Sequence, residues 1–187
     1  MSKLKSEKIK TLKQYVRAKK LPIAKLLGNV SDDWVKYALD ICEKTNISTE
    51  KAIDNRTDYG TVLSDEYRKG ILDQSIVDYK QKHIEDLVLP NDIFSNMEGI
   101  HELRFAELES KELLPLHLDS PWTLRFLIIL KGSNLFFTEE ESFPMNTNEI
   151  WFINGAHAHG VNNTNNFSRI ALLGKWKYNE NNIEKLL

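Results

Sequence analysis

Hydrophobic and polar positions change period part-way along this 187-residue chain. Before about residue 90 the apolar residues fall at helical spacing, and after about residue 100 they alternate. Leu4, Ile9, Leu12 and Val16 recur with lysines between them, as on one face of an amphipathic helix. Ser31-Asp32-Asp33 ahead of Trp34, Val35, Ala38, Leu39 and Cys42 reads as an N-cap followed by an apolar stripe. Ser48 with Glu50 and Ala52 marks a short second start. Ser64-Asp65-Glu66 then opens a periodic segment through Tyr67, Ile71, Ile76, Tyr79, His83 and Leu87, which Pro90 and Asn91 terminate. The pattern predicts three or four helices before residue 90. Leu21 to Ile47 can be read as a helix-turn-helix, taken here as two packed helices.

The second half reads as strands. Leu103 to Leu108, Leu114 to Leu118, Leu124 to Leu130, Leu135 to Thr138, Ile150 to Ile153 and Phe167 to Trp176 are short and rich in β-branched and aromatic residues. Gly, Asn, Ser and Pro separate them. Such spacing predicts a β-sandwich or jelly roll, and no internal repeat interrupts it.

Composition narrows the class. The longest apolar run, Phe126 to Leu130, is far too short to span a bilayer, so a membrane protein is not expected. Cys42 is the single cysteine, which excludes an internal disulfide and a cysteine-based zinc site. With no apolar stretch of signal-peptide length near the start, a cytoplasmic location is expected. The first 30 residues hold nine Lys/Arg against one acid, a net of +8, leaving the remainder at −10. That basic arm fits the solvated face of a helix, or a contact with nucleic acid or anionic lipid. Helical spacing favours the first, and nucleic acid is not an expected partner.

Candidate chemistry lies in the β half. On an extended backbone His117 and Asp119 project from the same face. His159 follows 42 residues after His117, in a segment able to lie on a facing strand. Two imidazoles and one carboxylate on one face of an octahedral metal leave three positions open, the arrangement of non-haem Fe(II) oxygenases. Alone, His-x-Asp equally fits a surface turn or a hydrogen-bonded pair. Ten residues beyond His159 stands Arg169, flanked by Phe167, Ile170 and Leu172. One face of that strand is therefore buried, and the guanidinium needs a carboxylate partner.

These segments resemble the aspartyl/asparaginyl β-hydroxylase family of 2-oxoglutarate oxygenases, in particular its small bacterial branch that includes proline cis-4-hydroxylase. The resemblance rests on "LRFAELESKELLPLHLD", on Arg125 in "LRFLIIL", on Asn148-Glu149-Ile150-Trp151-Phe152, on His159 with Asn163, and on Arg169. It covers about 75 residues and leaves the first 90 without a recognised motif. It implies a mainly β fold with a double-stranded β-helix (cupin or jelly-roll) core over residues 96–187, and the helical spacing before it predicts a helical region over residues 1–95. It also implies Fe(II) held by His117, Asp119 and His159, and 2-oxoglutarate anchored at its distal carboxylate by Arg169, with Arg125 facing the cosubstrate or substrate. His159 keeps the spacing to Trp151 and Arg169, so it is preferred over His157 as ligand. Trp122, His157 and Asn163 are then candidate substrate contacts. His83 and His101 are expected to be structural.

Two departures from the family pattern stand out. Arg125-Phe126-Leu127 replaces Arg-x-His, which removes one polar contact expected near the cosubstrate. Asn148 replaces a turn glycine, a change that Asn tolerates because it reaches left-handed conformations readily. The implied activity is hydroxylation of an amino-acid side chain, free or in a peptide, with O2 consumed and succinate and CO2 released. Two rivals remain: a non-oxygenase metal-binding cupin, such as an isomerase or small-acid sensor, and an interaction module using the basic N-terminal helices.

Overall fold

The computed structural model describes residues 16–45, 47–50, 79–85, 87–90, 94–117, 119 and 124–187. Eleven described strands and two helices follow in order. The strands are β1 (Ala24–Asn29), β2 (Ser48–Glu50), β3 (Tyr79–His83), β4 (His101–Leu108), β5 (Leu113–His117) and β6 (Leu124–Lys131), then β7 (Ser133–Phe137), β8 (Ser142–Asn146), β9 (Glu149–Asn154), β10 (His159–Asn162) and β11 (Arg169–Trp176). Helix α1 (Asp32–Lys44) follows β1, and α2 (Glu180–Leu186) closes the chain. No helix among the described residues is long and apolar enough to cross a membrane.

The strands form two antiparallel sheets, one of seven in the order β1-β9-β6-β11-β4-β3-β2 and one of four in the order β5-β10-β7-β8. From β4 onward the chain passes between the sheets at every connection except the β7–β8 hairpin. This is a double-stranded β-helix, the jelly-roll alternative of the alternating pattern after residue 100 and the core that the resemblance implies. The period of two fixes which side chains face which layer. On β6, Leu127 and Ile129 point between the sheets, where they pack with Leu108, Phe136, Met145, Ile153, Val161 and Ala171. Their neighbours Phe126 and Ile128 point the other way, into a second core with Phe105, Leu172 and Trp176 of the same sheet and Val35, Ala38, Cys42, Ile183 and Leu186 of the helices. Phe126 is central there, its ring 4.8 Å from both Phe94 and Trp176. Each large apolar side chain buried in these layers contributes roughly 1.5–3 kcal/mol.

Helix α1 forms as its sequence predicts. Ser31 caps it by accepting the Trp34 amide at 3.2 Å, Asp32 and Asp33 occupy the positive end and Lys44 the negative end. The turn from β8 to β9 places Asn148 at φ 74°, the left-handed conformation anticipated for that position. His101 opens β4.

The helical reading of the first half needs correction. Residues 24–29, expected in the first of two packed helices, form β1 and extend the sheet along the edge of β9. Tyr79 and His83, expected on a helical stripe, belong to β3, which pairs with β4, and Ser48 begins β2 rather than a helix. Two edge strands of the β core offered unpaired backbone groups, and that ladder outweighed the modest helical preference of these lysine-containing segments. The expected region 1–95 is thus not purely helical. The amphipathic stripe at Leu4, Ile9 and Leu12 and the segment 64–78 lie outside the described residues.

Candidate metal centre

Strand pairing brings the two histidines together. His159 opens β10 directly opposite His117 at the end of β5, and their ring centroids are 4.5 Å apart. Asp119 follows two residues past His117. One ligand atom from each of the three lies within 4.8 Å of the others. Phe136 stacks on the His159 ring at 5.0 Å, giving the site an apolar wall.

Both rings are oriented from behind by the backbone. The Nδ1 of His117 is 2.8 Å from the Pro115 carbonyl, and that of His159 is 2.8 Å from the His157 carbonyl. A carbonyl only accepts, so each Nδ1 donates and Nε2 is the ring nitrogen left to face the site. Burial pushes His117 down to about 4, with His159 adding to the effect, so this ring is neutral at physiological pH. Burial alone would raise the Asp119 carboxyl, but Arg125, His159 and His117 together hold it well below the usual carboxylate range. Asp119 Oδ2 lies 3.4 Å from His159 Nε2 and 2.5 Å from Arg125 Nη1. Lone pairs and a carboxylate gathered this closely suit a divalent cation.

Arg125 therefore meets Asp119, not open space. It sits in a row of cations on the inner face of the seven-stranded sheet. Its cross-strand partner is Lys175, and Arg104 pairs with Leu173 on the same strand as Lys175. Lys175 forms an ion pair with Glu102. Burial, with Arg125 and Arg104 nearby, lowers the Lys175 ammonium despite Glu102. Three cations against Glu102 and Asp119 leave this end of the cup net positive, which favours an anion. The alternation of LRFAEL, LRFLIILK and RIALLGKW carried the signal for Arg104 and Lys175, which sequence reasoning had passed over.

Arg169 is 3% exposed between the two sheets. From β11 its Nε donates to Asn134 Oδ1 of β7 at 2.9 Å, linking one sheet to the other. His157 occupies the turn before β10, its Nδ1 3.5 Å from Lys19 Nζ. It serves the site through its carbonyl, which fixes the His159 ring. Asn163, a candidate substrate contact, is fully buried. Its amide donates to the Leu108, Glu109 and Phe167 carbonyls while its oxygen accepts from Asn165. It clips the loop after β10 to the end of β4, and those partners use all its donors. Trp122 lies outside the described residues.

No family model matches the sequence, and no curated protein matches it. Solved structures do resemble it. They include a Pseudomonas putida prolyl-4-hydroxylase, 11% identical over 90% of this chain and 99% of that one with a TM-score of 0.52. A 2OG-Fe(II) oxygenase family oxidoreductase from Burkholderia pseudomallei is 11% identical over 90% and 91%, with a TM-score of 0.54. A viral collagen prolyl hydroxylase from Paramecium bursaria Chlorella virus-1 is 8% identical over 85% and 97%, with a TM-score of 0.52. At such identities the likeness establishes a shared fold, a double-stranded β-helix extending over nearly the whole length of each.

Proposed function

We propose that the protein is an Fe(II)- and 2-oxoglutarate-dependent oxygenase that hydroxylates an amino-acid side chain, free or within a peptide. The observation that carries this reading is the convergence of His117, Asp119 and His159, with both imidazoles locked to present Nε2. Donor chemistry fits the metal: two imidazole nitrogens and one carboxylate, with no thiolate, suit Fe(II) and leave open positions for ligands. The fold likeness to 2OG-Fe(II) oxygenases supports the reaction type. The narrower branch, aspartyl/asparaginyl hydroxylase-like, is supported by the sequence motifs alone.

In this reading His117, Asp119 and His159 would hold the iron, and Arg169 would hold the distal carboxylate of 2-oxoglutarate. When bound, the two together supply a two-electron oxidation by O2, the keto acid leaving as succinate and CO2. The chain's own residues contribute position and environment. Hydrogen bonds from the two Nδ1 atoms stop the imidazoles rotating. Phe136, Val161 and Leu127 keep the cup apolar and exclude water. The cation row at the mouth draws in the anionic cosubstrate.

The test is an anaerobic titration of the purified chain with Fe(II) and 2-oxoglutarate, followed by a succinate-release screen over free amino acids and short peptides. Succinate formation that needs Fe(II), 2-oxoglutarate and O2 is the expected result. Metal uptake without O2 consumption would instead identify a non-oxygenase cupin, and no metal uptake would reject both.

A further inference from the structure

We infer that Arg104 and Lys175 form a binding site for a carboxylate carried by the substrate, and that Glu102 is the counterion this carboxylate displaces. The inference deepens the proposed function by naming the substrate class, and rests on it. A bulge sets up the arrangement. Leu173 of β11 pairs with Arg104 and Lys175 pairs with His101, so β4 places two residues, Glu102 and Leu103, opposite Gly174 alone. Glu102 absorbs the extra length with a φ of 52°, a left-handed conformation seldom taken by residues other than Gly, Asn and Asp. Bulges commonly aim a side chain beside a site. This one sets Glu102 against the cation row, where its Oε2 accepts from Lys175 Nζ.

Charge and exposure say what the ligand is. The side chains of Lys175 and Arg125 are 13% and 14% exposed, whereas that of Glu102 is 46% exposed. Arg125 is committed to Asp119. Arg104 has no carboxylate partner among the described residues, and its Nε is buried without a hydrogen bond there. Buried donors are nearly always satisfied, and a guanidinium pairs best with a planar carboxylate. Glu102 serves Lys175 alone, so the row keeps one positive charge in excess, that of Arg104. An ion pair with a half-exposed partner is weak, which lets another acid take its place. A substrate carboxylate would replace Glu102 at Lys175 and gain Arg104 as well; a neutral amide could do neither. The strands run β6-β11-β4, so Arg104 stands two strands from Arg125, about 10 Å at about 4.8 Å per strand. An acid held between Arg104 and Lys175 is therefore beside the metal ligands and not on them, and the rest of a small molecule can reach across. The substrate class is an acid: a free amino acid, or an acidic or C-terminal residue of a peptide.

Protein loaded with Mn(II) and 2-oxoglutarate, which does not turn over, provides the test by calorimetric titration against pairs of acid and amide. The pairs are each proteinogenic L-amino acid beside its α-amide, and capped tripeptides with central Asp or Glu beside the Asn or Gln forms. At least one acid is expected to bind about tenfold or more tightly than its amide. The set in which the preference appears separates an α-carboxylate from an acidic side chain. Arg104→Gln should abolish the preference. Glu102→Gln should bind the same acid several-fold more tightly, which a purely structural Glu102 would not produce. If Arg104→Gln does not fold, Glu102→Gln decides. No acid preference in the wild type, a preference that survives Arg104→Gln, or acid binding that is unchanged or weaker in Glu102→Gln overturns the inference while leaving the proposed function standing. Failure of the wild-type protein to bind 2-oxoglutarate with Mn(II) overturns both.

Discussion

Arg125 Nη1 lies 2.5 Å from Asp119 Oδ2, the same oxygen that faces His159. A divalent ion seated between the two imidazoles must share that carboxylate with a guanidinium. The cation beside it weakens metal binding by repulsion, yet it strengthens the pull on an anionic ligand arriving afterwards. Arg125→Met separates these effects. Mn(II) affinity should rise several-fold, while 2-oxoglutarate affinity for the Mn(II)-loaded variant should fall several-fold. Calorimetric titration reads both. Weaker Mn(II) binding by the variant would show that Arg125 holds Asp119 in place and does not compete for it.

The three candidate ligands make a second prediction. His117 closes β5, and Asp119 follows it outside any strand, so neither belongs to the two apolar cores. His117→Ala and Asp119→Ala should each lower metal-dependent turnover by at least about 100-fold, more than loss of an outer partner usually costs. Far-UV circular dichroism should be unchanged. A variant that turns over normally removes its residue from the ligand set.

How far the sequence could be read depended on whether the decisive contact was local. The period-two runs around β6, β9 and β11 were legible because each strand buries one face in each of two cores. Ser31 was legible as a cap because its partner, Trp34, is three residues away, and Asn148 because a two-residue turn demands its conformation. β1 and β3 were not legible, since they are strands only by virtue of β9 and β4, more than twenty residues off. The same holds within the site. His117 and Asp119 announce themselves by spacing, whereas the partnership of Arg169 with Asn134 joins two sheets across 35 positions, and no local pattern encodes it. The engagement of Asn163 was hidden for a related reason: its three carbonyl partners include two at the end of β4, more than fifty residues away.

A third prediction concerns Cys42, buried in the outer core. Burial, with Glu107 and Glu43 nearby, pushes its thiol up to about 11. In the unfolded chain the thiol ionises near ~8.5. Between those values the unfolded state sheds a proton that the folded state retains, so stability is complete below about pH 8.5 and declines as pH rises toward 11. Chemical denaturation at pH 8 and pH 10 should show a loss of about 2 kcal/mol in the wild type that Cys42→Ala lacks. Equal losses in the two proteins would locate the alkaline sensitivity elsewhere.

Gly160 links packing to the metal site most directly. It follows His159 on β10, and a Cβ there would meet the Leu114 carbonyl oxygen at 2.8 Å as well as the Phe137 ring. A backbone oxygen cannot swing aside as a side chain can. Relief would have to open the β5–β10 pairing, the contact that sets His117 opposite His159. Gly160→Ala should therefore cost about 1–3 kcal/mol, as overpacking does, and also weaken Mn(II) binding by tenfold or more. Gly174→Ala supplies the comparison. Its Cβ would meet the side chains of Phe126 and Leu103, the latter at 2.7 Å, in the core on the opposite side of the seven-stranded sheet. A similar stability loss with unaltered Mn(II) affinity is expected there. Should both variants lose metal affinity in proportion to stability, the β5–β10 register would have no special hold on the site.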